Sequence, residues 1–311
     1  MLYLLLVIFT IVELNCENLF DTRHDSLKQD EEFLPTSSRR WTPSRYWKKI
    51  SHINQTIMSC GQSDTLQWLP DLVVLTEVEN DSVMRDLAKR SPLRHVRYEY
   101  VMTDSPDLRG IDVALLYSPF SFQLVNHHSI RIEPLKGMRP TRDILYASGR
   151  IINGDTLHVF AVHAPSRAGG EASTMPYRMR VAKQLCEAID SVFSACAQPL
   201  VVVAGDFNDY SGDASLKMLV GHNMKEVSLN AKGGNGAKGT YRYHGAWGSL
   251  DHIFCNHRMA SLLIDCHVND APFLLEKDKK YGGVKPRRTY LGPRYIGGFS
   301  DHLPLVAIFK L

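Results

Sequence analysis

The sequence predicts an α/β protein in which two mixed β-sheets pack face to face and helices cover their outer faces, a four-layer αββα sandwich. Short apolar runs rich in Val, Ile, Leu and Tyr recur along the chain, as expected for buried strands. Long segments with the apolar spacing of amphipathic helices are few. So many strands with so few helices do not fit a simple doubly wound sheet, and two packed sheets account for them better.

Ten apolar runs are predicted as strands. In chain order they are Ile8–Leu14, Leu72–Leu75, Val96–Met102, Val113–Tyr117, Phe122–Val125, Ile144–Ile152, Leu157–Val162, Val201–Ala204, Leu250–Phe254 and Leu305–Phe309. Apolar residues spaced three and four apart predict long helices over Ser44–Ser59 and Met175–Cys196 and shorter ones over Asp81–Arg90 and Ala214–Val220. In the first long helix the apolar face consists of Trp47, Ile50, Ile53 and Ile57.

The remaining segments are interpreted as loops. Lys232–Gly239 and Lys277–Gly298 are long, and long loops in a compact domain are often functional. His127 and His128 lie between apolar runs and are interpreted as loop histidines. Since no repeat, low-complexity tract or linker divides the chain, we expect residues 1–311 to form a single domain.

Composition and charge restrict the class of protein. A chain of 311 residues with 44% hydrophobic and 22% charged residues has enough apolar material for a large core. The net charge of +3 is too small to indicate nucleic-acid binding by itself, although Arg and Lys cluster within 39–49 and 277–288. The six cysteines have no zinc-site spacing and are interpreted as mostly buried thiols.

The first twelve residues are almost all apolar. Twelve helical residues span about 18 Å, against a hydrocarbon core of about 30 Å, so we expect no transmembrane span. Residues 1–8 are either the remnant of an export signal or an extension of the first strand. The compartment therefore stays open between cytoplasmic and exported, and we expect a monomer.

Polar residues stand at the ends of the predicted strands. Val201–Ala204 leads into Gly205-Asp206-Phe207-Asn208, so Asp206 and Asn208 share one face of extended chain. Other strand ends carry Asn15, Glu77, His163, Asp251, Asp301 and His302. Oxygen ligands of this kind suit Mg²⁺ or Mn²⁺, and a histidine oriented by an acid can manage the proton of a water molecule. The pattern predicts hydrolysis of a phosphoester.

Seven segments together carry a family resemblance. In order they are ELNCENLFD, PDLVVLTEVEN, RGIDVALLY, HVFAVHAPSRAGG, VVVAGDFND, GSLDHIFCN and FSDHLPL. In these segments, and over nearly its whole length, the chain resembles the endonuclease/exonuclease/phosphatase superfamily, which has the deoxyribonuclease I-like fold. Each motif alone is weakly specific, but seven in family order are strong.

The resemblance implies a role for each matching residue. Glu77 would be the main metal ligand, with Asn15 and Asp301 in the same oxygen cage. Asp206 and Asn208 would act at the scissile phosphate. His302 would be the general base or the group that stabilises developing charge, and Asp251 would hold its imidazole in one tautomer.

Three further residues complete the expected site. His163 would donate to a non-bridging oxygen or protonate the leaving group. Arg167 could pair with a phosphate, and Arg109 could reach a phosphate or pair with Asp112. If neutral His302 accepts a proton, activity should fall below about pH 6, on the ordinary histidine pKa.

The implied reaction is in-line attack of water on phosphorus with Mg²⁺ or Mn²⁺ as cofactor. The substrate would be a phosphodiester or phosphomonoester, possibly nucleic acid, with a nuclease or general phosphodiesterase preferred. A phosphatase of the inositol-phosphate type or a sphingomyelinase is the alternative, because fold and core site do not choose among these substrates. A non-catalytic phosphate-binding module is a further alternative.

Overall fold

Two six-stranded mixed sheets form the centre of the structure, a computed structural model that describes residues 7–61 and 68–311. The first sheet has the strand order β13-β18-β1-β2-β4-β3, and the second has the order β5-β6-β7-β8-β12-β9. The strands, numbered along the chain, are β1 (Ile8–Leu19), β2 (Leu72–Val78), β3 (Glu99–Met102), β4 (Asp112–Tyr117), β5 (Phe122–Ile130), β6 (Ile144–Ile151), β7 (Thr156–His163), β8 (Leu200–Asp206), β9 (Met224–Glu226), β10 (Tyr241–Tyr243), β11 (Ala246–Gly248), β12 (Asp251–Asn256), β13 (Leu263–Val268), β14 (Leu275–Lys277), β15 (Val284–Pro286), β16 (Tyr290–Leu291), β17 (Arg294–Tyr295) and β18 (Leu305–Lys310).

Helices cover the outer faces of both sheets. They are α1 (Pro43–Ser59), α2 (Asp81–Arg85), α3 (Glu171–Ala195), α4 (Ala214–Gly221) and α5 (His257–Ala260). A π-helical turn over Asp86–Arg90 continues α2, and short 3₁₀ turns lie at Glu31–Phe33, Pro92–His95 and Pro272–Leu274. None of the helices in the described part of the chain is long and apolar enough to cross a bilayer.

Three apolar layers hold these elements together. Inward-facing residues of both sheets form the central layer, α1 packs on the outer face of the first sheet, and α3 and α4 pack on that of the second. Helix, sheet, sheet and helix are therefore stacked in that order, which confirms the predicted αββα sandwich. Within α1, Ile50, Ile53 and Ile57 are buried as expected, whereas Trp47 is 42% exposed and Tyr46 packs inward in its place.

Several local predictions were wrong. His127 and His128 lie on the exposed edge strand β5 and not in a loop. The segment Lys277–Gly298 contains parts of two short antiparallel pairings, and each sheet gains a strand that no apolar run predicted, β9 and β13. Strand β13 is only partly buried because it lies at the edge of its sheet, so it lacks the continuous apolar run of a central strand.

The apolar N-terminus enters the first sheet. Strand β1 pairs with β2 in parallel and with β18 in the antiparallel sense, beginning at Ile8 opposite Lys310. The strand interpretation therefore holds for Ile8 onward, and the question of a signal remnant over residues 1–6 lies outside the described residues. Each of the six cysteines is a free thiol, and four of them are buried.

Asp143 predicts how stability depends on pH in this fold. Burial raises the pKa of Asp143 to about 6, and the Arg131 guanidinium 3.4 Å away only partly opposes this. Since the pKa of an unfolded Asp is about 4, the folded state binds more protons between pH 4 and 6, and stability falls as pH rises through that window. Asp143→Asn, which cannot ionise, is expected to be about 1–3 kcal/mol more stable than the wild type at pH 7.5 and equal to it at pH 4.

Urea unfolding at the two pH values measures this difference. Asp265→Asn on the exposed part of β13 is the matched control and should change stability little at either pH. An equal gain for Asp143→Asn at pH 4 and pH 7.5 would show that ionisation of Asp143 is not the cause.

Candidate active site

Three polar residues lie side by side at one end of the second sheet. In the register of β7, β8 and β12, His163 is opposite Asp206 and Asp206 is opposite Asp251. Along each strand the alternate residues nearer the middle, such as Ala161, Ala204 and Ile253, belong to the central core. The three polar side chains therefore continue the inward-facing rows beyond the apolar core.

The first sheet brings Asn15 to the same place. Asn15 follows Ile11 in the inward-facing row of β1, and its Nδ2 donates to Asp206 Oδ2 at 3.0 Å across the two sheets. Its Oδ1 accepts from the backbone N–H of Glu17 at 2.8 Å, which fixes the orientation of the amide. The pairing of Asn15 with Asp206 links the ends of β1 and β8.

Glu77 reaches the cluster through a break in strand regularity. The pairing of β2 with β4 shifts between Thr76 and Val78, and Glu77 between them has a φ of 58°, in the left-handed region. Its Oε2 accepts from the backbone N–H of Asn18 at 2.8 Å, and its Oε1 lies 4.0 Å from His163 Nε2. Regular alternation would turn residue 77 to the other face, so the bulge places this carboxylate at the site.

His302 is held by contacts on two sides. Its Nδ1 lies 2.7 Å from Asp251 Oδ2, which also accepts a hydrogen bond from the Thr240 hydroxyl. The Tyr241 ring packs against the imidazole with the ring centroids 4.8 Å apart. Because Nδ1 is engaged by Asp251, Nε2 is the nitrogen available to a substrate.

Asp301 is positioned by a buried ionic cluster beneath the C-terminal segment. Its Oδ2 accepts from Arg288 Nη2 at 2.7 Å, and Arg288 Nε lies 3.5 Å from Glu17 Oε1. Buried Lys49 lies 3.9 Å from Glu17 and donates to Thr289 Oγ1 at 2.7 Å. Glu17 and Lys49 thereby hold the segment that carries Arg288.

Lys49→Met tests this cluster. Removal of the ammonium leaves buried Glu17 with Arg288 as its remaining cation and takes the donor from the Thr289 hydroxyl, so we expect a loss of about 1–3 kcal/mol in the free energy of unfolding. Lys48→Met is the matched control, because Lys48 is exposed on the same helix. Urea midpoints measure both variants, and equal midpoints would contradict the assigned role of Lys49.

Asn208 and the two arginines lie around this cluster. The backbone N–H of Asn208 donates to Asp206 Oδ1 at 2.8 Å, and its Nδ2 donates to Ala164 O at 3.1 Å. The Arg167 guanidinium contacts Asp209, Asp213, Glu171 and the carbonyl of Asn208. Three carboxylates already surround Arg167, so its contacts are those of a support for the Asn208 turn.

Arg109 donates to Asn18 Oδ1 at 2.7 Å and does not pair with Asp112, which accepts from Thr103 and Ser105.

Close backbone packing makes Gly205 necessary next to Asp206. A Cβ atom at this position would lie 1.9 Å from the carbonyl oxygen of Val162 on the neighbouring strand. Any side chain would therefore push β7 and β8 apart where they carry His163 and Asp206.

Negative charge is concentrated at the centre of the cluster. Atoms of Asp206, Asp251 and His302 lie within 4.8 Å of one another. Burial, followed by repulsion from Asp251, raises the pKa of Asp206 to about 7. A single imidazole between these carboxylates does not neutralise them all, and a divalent cation would relieve the repulsion.

Glu13 is a member of the site that the sequence analysis missed. It precedes Asn15 in the inward-facing row of β1 and is completely buried. Burial raises its pKa well above the ordinary value, and the charges of Asp251 and Asp206 raise it further. Both of its carboxylate oxygens and Asp251 Oδ1 have no donor among the described residues, which fits one proton shared between the two acids. The only signal in the sequence is an acid at an inward position of a strand that is otherwise apolar.

The two histidines differ in protonation. Burial disfavours the charged form of His302, but Asp251, Asp301 and Asp206 outweigh it and hold its pKa well above the ordinary value. Burial, with Arg142 and Arg109 nearby, lowers the pKa of His163 far below that value. His302 is therefore an imidazolium at neutral pH and His163 is neutral. The expectation that activity falls below about pH 6 assumed an ordinary histidine pKa, and the three carboxylates around His302 raise its pKa above that value.

The donor set fits a hard divalent cation. Glu77 and Asp301 supply carboxylate oxygens and Asn15 supplies an amide oxygen beside the cluster of Asp206, Asp251 and His302, where the raised pKa of Asp206 reflects an excess of negative charge. Asp301 is partly committed to Arg288 but keeps a second oxygen.

The sequence matches a protein-family model, and the fold matches solved structures. The model of the endonuclease/exonuclease/phosphatase family matches residues 10–310. A Bacteroides vulgatus structure described as an endonuclease/exonuclease/phosphatase is 14% identical, with a TM-score of 0.63 over 98% of this chain and 99% of that one. A mannosyl-6-phosphatase from Bacteroides thetaiotaomicron is 16% identical, with a TM-score of 0.62 over 96% and 98%.

A third structure, the human Nocturnin catalytic domain with bound sulfate, is 16% identical, with a TM-score of 0.58 over 97% of this chain and 93% of that one. No curated protein sequence matches the chain. At these identities the structural matches establish the fold, and the family model covers nearly the whole sequence. This protein belongs to the endonuclease/exonuclease/phosphatase family.

Proposed function

We propose that this protein is a divalent-metal-dependent phosphoesterase that cleaves phosphodiester bonds by in-line attack of water on phosphorus. One observation carries the proposal: buried Asp206, Asp251 and His302 meet within 4.8 Å, next to the partly exposed carboxylate of Glu77. A carboxylate-rich cluster with one imidazolium can accept a cation and the anionic oxygens of a phosphoryl group together.

Asp206 is assigned to the water proton. Its Oδ1 accepts from Asn208 N–H and its Oδ2 accepts from Asn15 Nδ2, so both oxygens have fixed directions. With a pKa of about 7 it is poised to accept a proton near neutral pH. We assign Asn208 to the phosphoryl oxygen, since its amide lies on the same turn and is held against Ala164 O.

The histidines are assigned opposite tasks. His302, held as an imidazolium by Asp251, donates from Nε2 to a phosphoryl oxygen and stabilises the charge that develops there. Neutral His163 lies 3.7 Å from Asp206 Oδ2 and donates to a non-bridging oxygen or to the leaving group.

The two arginines are also assigned different tasks. Arg109 lies on the same side as His163, next to Asn18, and is assigned to substrate binding. Arg167 is assigned to the support of the Asn208 turn.

Glu77, Asn15 and Asp301 are proposed to hold the cation, which we expect to be Mg²⁺ or Mn²⁺. When bound, it supplies Lewis-acid neutralisation of the phosphoryl oxygens. The Asn15 amide would then bridge the cation site and Asp206, since its Nδ2 is already directed at that carboxylate.

Among substrate classes, a nuclease or general phosphodiesterase is preferred. A phosphomonoesterase is the second candidate, because the mannosyl-6-phosphatase of Bacteroides thetaiotaomicron shares the fold over almost the whole chain. Two further alternatives are sphingomyelinase or inositol-phosphate phosphatase activity and a module that binds phosphate without turnover. They are tested together with phosphodiester hydrolysis. We place residues 1–311 in a single, monomeric domain.

Turnover of bis(p-nitrophenyl) phosphate with Mg²⁺, with and without EDTA, tests the proposal. We expect hydrolysis with added Mg²⁺ or Mn²⁺ and at least about 100-fold loss in EDTA that restored metal reverses. No metal-dependent turnover of any phosphoester, together with full phosphate binding in EDTA, would show a binding module instead.

A further inference from the structure

A groove of about 540 Å³ lies beside the active site. Three segments form most of its walls: the turn at Leu108 and Arg109, the stretch from Gly137 to Arg142, and the turn from Pro165 that follows His163. Gln29 and, from α3, Thr174 and Tyr177 complete the lining. Pro165 is two residues from His163, so the groove begins where the catalytic cluster ends. A groove in this position can accept the part of a substrate that does not react.

Arg142 fastens the groove to the catalytic cluster. It donates to His163 O at 3.2 Å and to Ala164 O at 2.6 Å, and it pairs with Asp107 at 3.0 Å. All three wall segments are thus joined by one buried guanidinium. The walls are fixed relative to His163, which suits a pocket that positions a substrate.

Arg109 connects the other side of the groove to the cation site. Its guanidinium donates to Asn18 Oδ1, and the Asn18 backbone N–H donates to Glu77 Oε2. A ligand against Arg109 is therefore two hydrogen bonds away from Glu77. The groove and the catalytic cluster are parts of one continuous surface.

The groove surface is mostly apolar. Leu108, Met138, Pro140 and Pro165 contribute to it, and Leu108 is 40% exposed. Thr141 also lines the groove, and its hydroxyl, which is buried in the wall, has no hydrogen-bond partner among the described residues. Against the apolar part of this surface a sugar or inositol ring would place several hydroxyls on carbon, whereas a flat apolar ring with one polar edge fits it.

The charge at the rim is positive. Arg109 and Arg139 are both exposed at the groove, and neither forms an ion pair with the described residues. Asp107, the acid among the lining residues, is already paired with Arg142. A ligand for this groove therefore carries negative charge next to its apolar part, and guanidinium planes also stack on nucleobases.

We propose that this groove binds a nucleotide unit adjoining the scissile phosphate, with its base against Leu108, Met138 and Pro165 and its own phosphate at Arg139. The inference rests on the proposed phosphoesterase function and specifies its substrate as a nucleotide phosphodiester. Arg139 is then a specificity residue, because it pairs with the neighbouring phosphate.

A pair of chromogenic substrates tests the groove. The 5′-(p-nitrophenyl) ester of thymidine 3′,5′-bisphosphate carries a nucleotide with a second phosphate beside the scissile one, and bis(p-nitrophenyl) phosphate carries neither. For Arg139→Gln we expect the ratio of kcat/KM for the nucleotide ester to kcat/KM for the other substrate to fall about 10-fold. Arg139→Lys should recover part of the ratio, because the charge is retained.

Arg150→Gln is the matched control. Arg150 is exposed on β6 opposite Thr156, at the far end of the sheet from His163, and should leave the ratio unchanged. An unchanged ratio in Arg139→Gln would overturn the proposal. Faster wild-type hydrolysis of mannose 6-phosphate or inositol phosphates than of the nucleotide ester would also overturn it, while leaving the phosphoesterase function intact.

A binding measurement distinguishes failure of the groove assignment from failure of the proposed phosphoesterase function. Fluorescence anisotropy of a labelled single-stranded oligonucleotide in EDTA should show about 10-fold weaker binding by Arg139→Gln than by the wild type or Arg150→Gln. If this difference is found but no phosphoester is hydrolysed, the groove assignment stands and the proposed function fails. Equal binding by all three proteins would overturn the groove assignment whatever the turnover.

Discussion

Asp206→Asn is expected to lower kcat/KM for phosphodiester hydrolysis by about 10³-fold or more while the protein stays folded. The amide keeps an oxygen for the Asn208 backbone N–H but cannot accept a proton from water. In the wild type Asp206 Oδ2 accepts a hydrogen bond from Asn15 Nδ2, but in the variant an NH₂ group takes the place of this oxygen and two donors face each other. The variant thus loses the proposed base and disturbs the amide that joins it to the cation site.

Stability should change far less than activity. The lost hydrogen bond from Asn15 costs about 1 kcal/mol, and relief of the repulsion from Asp251 that raises the pKa of Asp206 offsets it. Steady-state kinetics and urea unfolding of Asp206→Asn and of the exposed control Asp265→Asn measure the two effects. A rate within 10-fold of the wild type in Asp206→Asn would refute the assignment of Asp206 as base.

The sequence predicted the sandwich because its strands are regular. Val201–Ala204 and Leu157–Val162 are apolar because both of their faces are covered, and such runs identify central strands without any tertiary information. Edge strands such as β9 and β13 are short or partly exposed, so their residues lack that signal. Their pairing is set by neighbours distant in the chain, which a local pattern does not encode.

The polar residues at the strand ends were predicted, but their electrostatics were not. Position along a strand is local information, and it sufficed to select Asn15, His163, Asp206 and Asp251. The raised pKa of His302 depends on Asp251, Asp301 and Asp206, which lie on different segments. Glu13 was missed because its significance comes from acids on the opposite sheet.

Arg167 illustrates the same limit from the other side. Its position after His163 suggested a contact with phosphate, but Asp209, Asp213 and Glu171 surround its guanidinium. Asp209 and Asp213 follow β8 and Glu171 begins α3, so only the folded chain shows that the charge of Arg167 is compensated. No sequence motif includes Arg139. Its importance appears only in the folded chain, where its charge is not compensated by a carboxylate of the described residues.

Asp251→Asn is expected to lower kcat about 10²- to 10⁴-fold and to move the alkaline limb of the pH–rate profile to lower pH. Asp251 Oδ2 lies 2.7 Å from His302 Nδ1, and its charge is the largest contribution that raises the pKa of His302. An amide can still accept from Nδ1–H, but it carries no charge to stabilise the imidazolium. Burial then lowers the pKa of His302, and the proton that it donates is lost at lower pH.

The direction of the shift separates an electrostatic role from a structural one. With its raised pKa, wild-type His302 stays protonated above neutral pH, so activity that needs the imidazolium declines only as pH rises through that pKa. In Asp251→Asn the decline should begin at lower pH than in the wild type, and titration of the His302 ring by NMR should shift in the same direction. Thr240→Val, which removes a hydroxyl donor to Asp251 but no charge, is the control and should reduce kcat only about 10-fold. A rate loss in Asp251→Asn without any movement of the alkaline limb would mean that Asp251 supports the fold of the site and not the charge of His302.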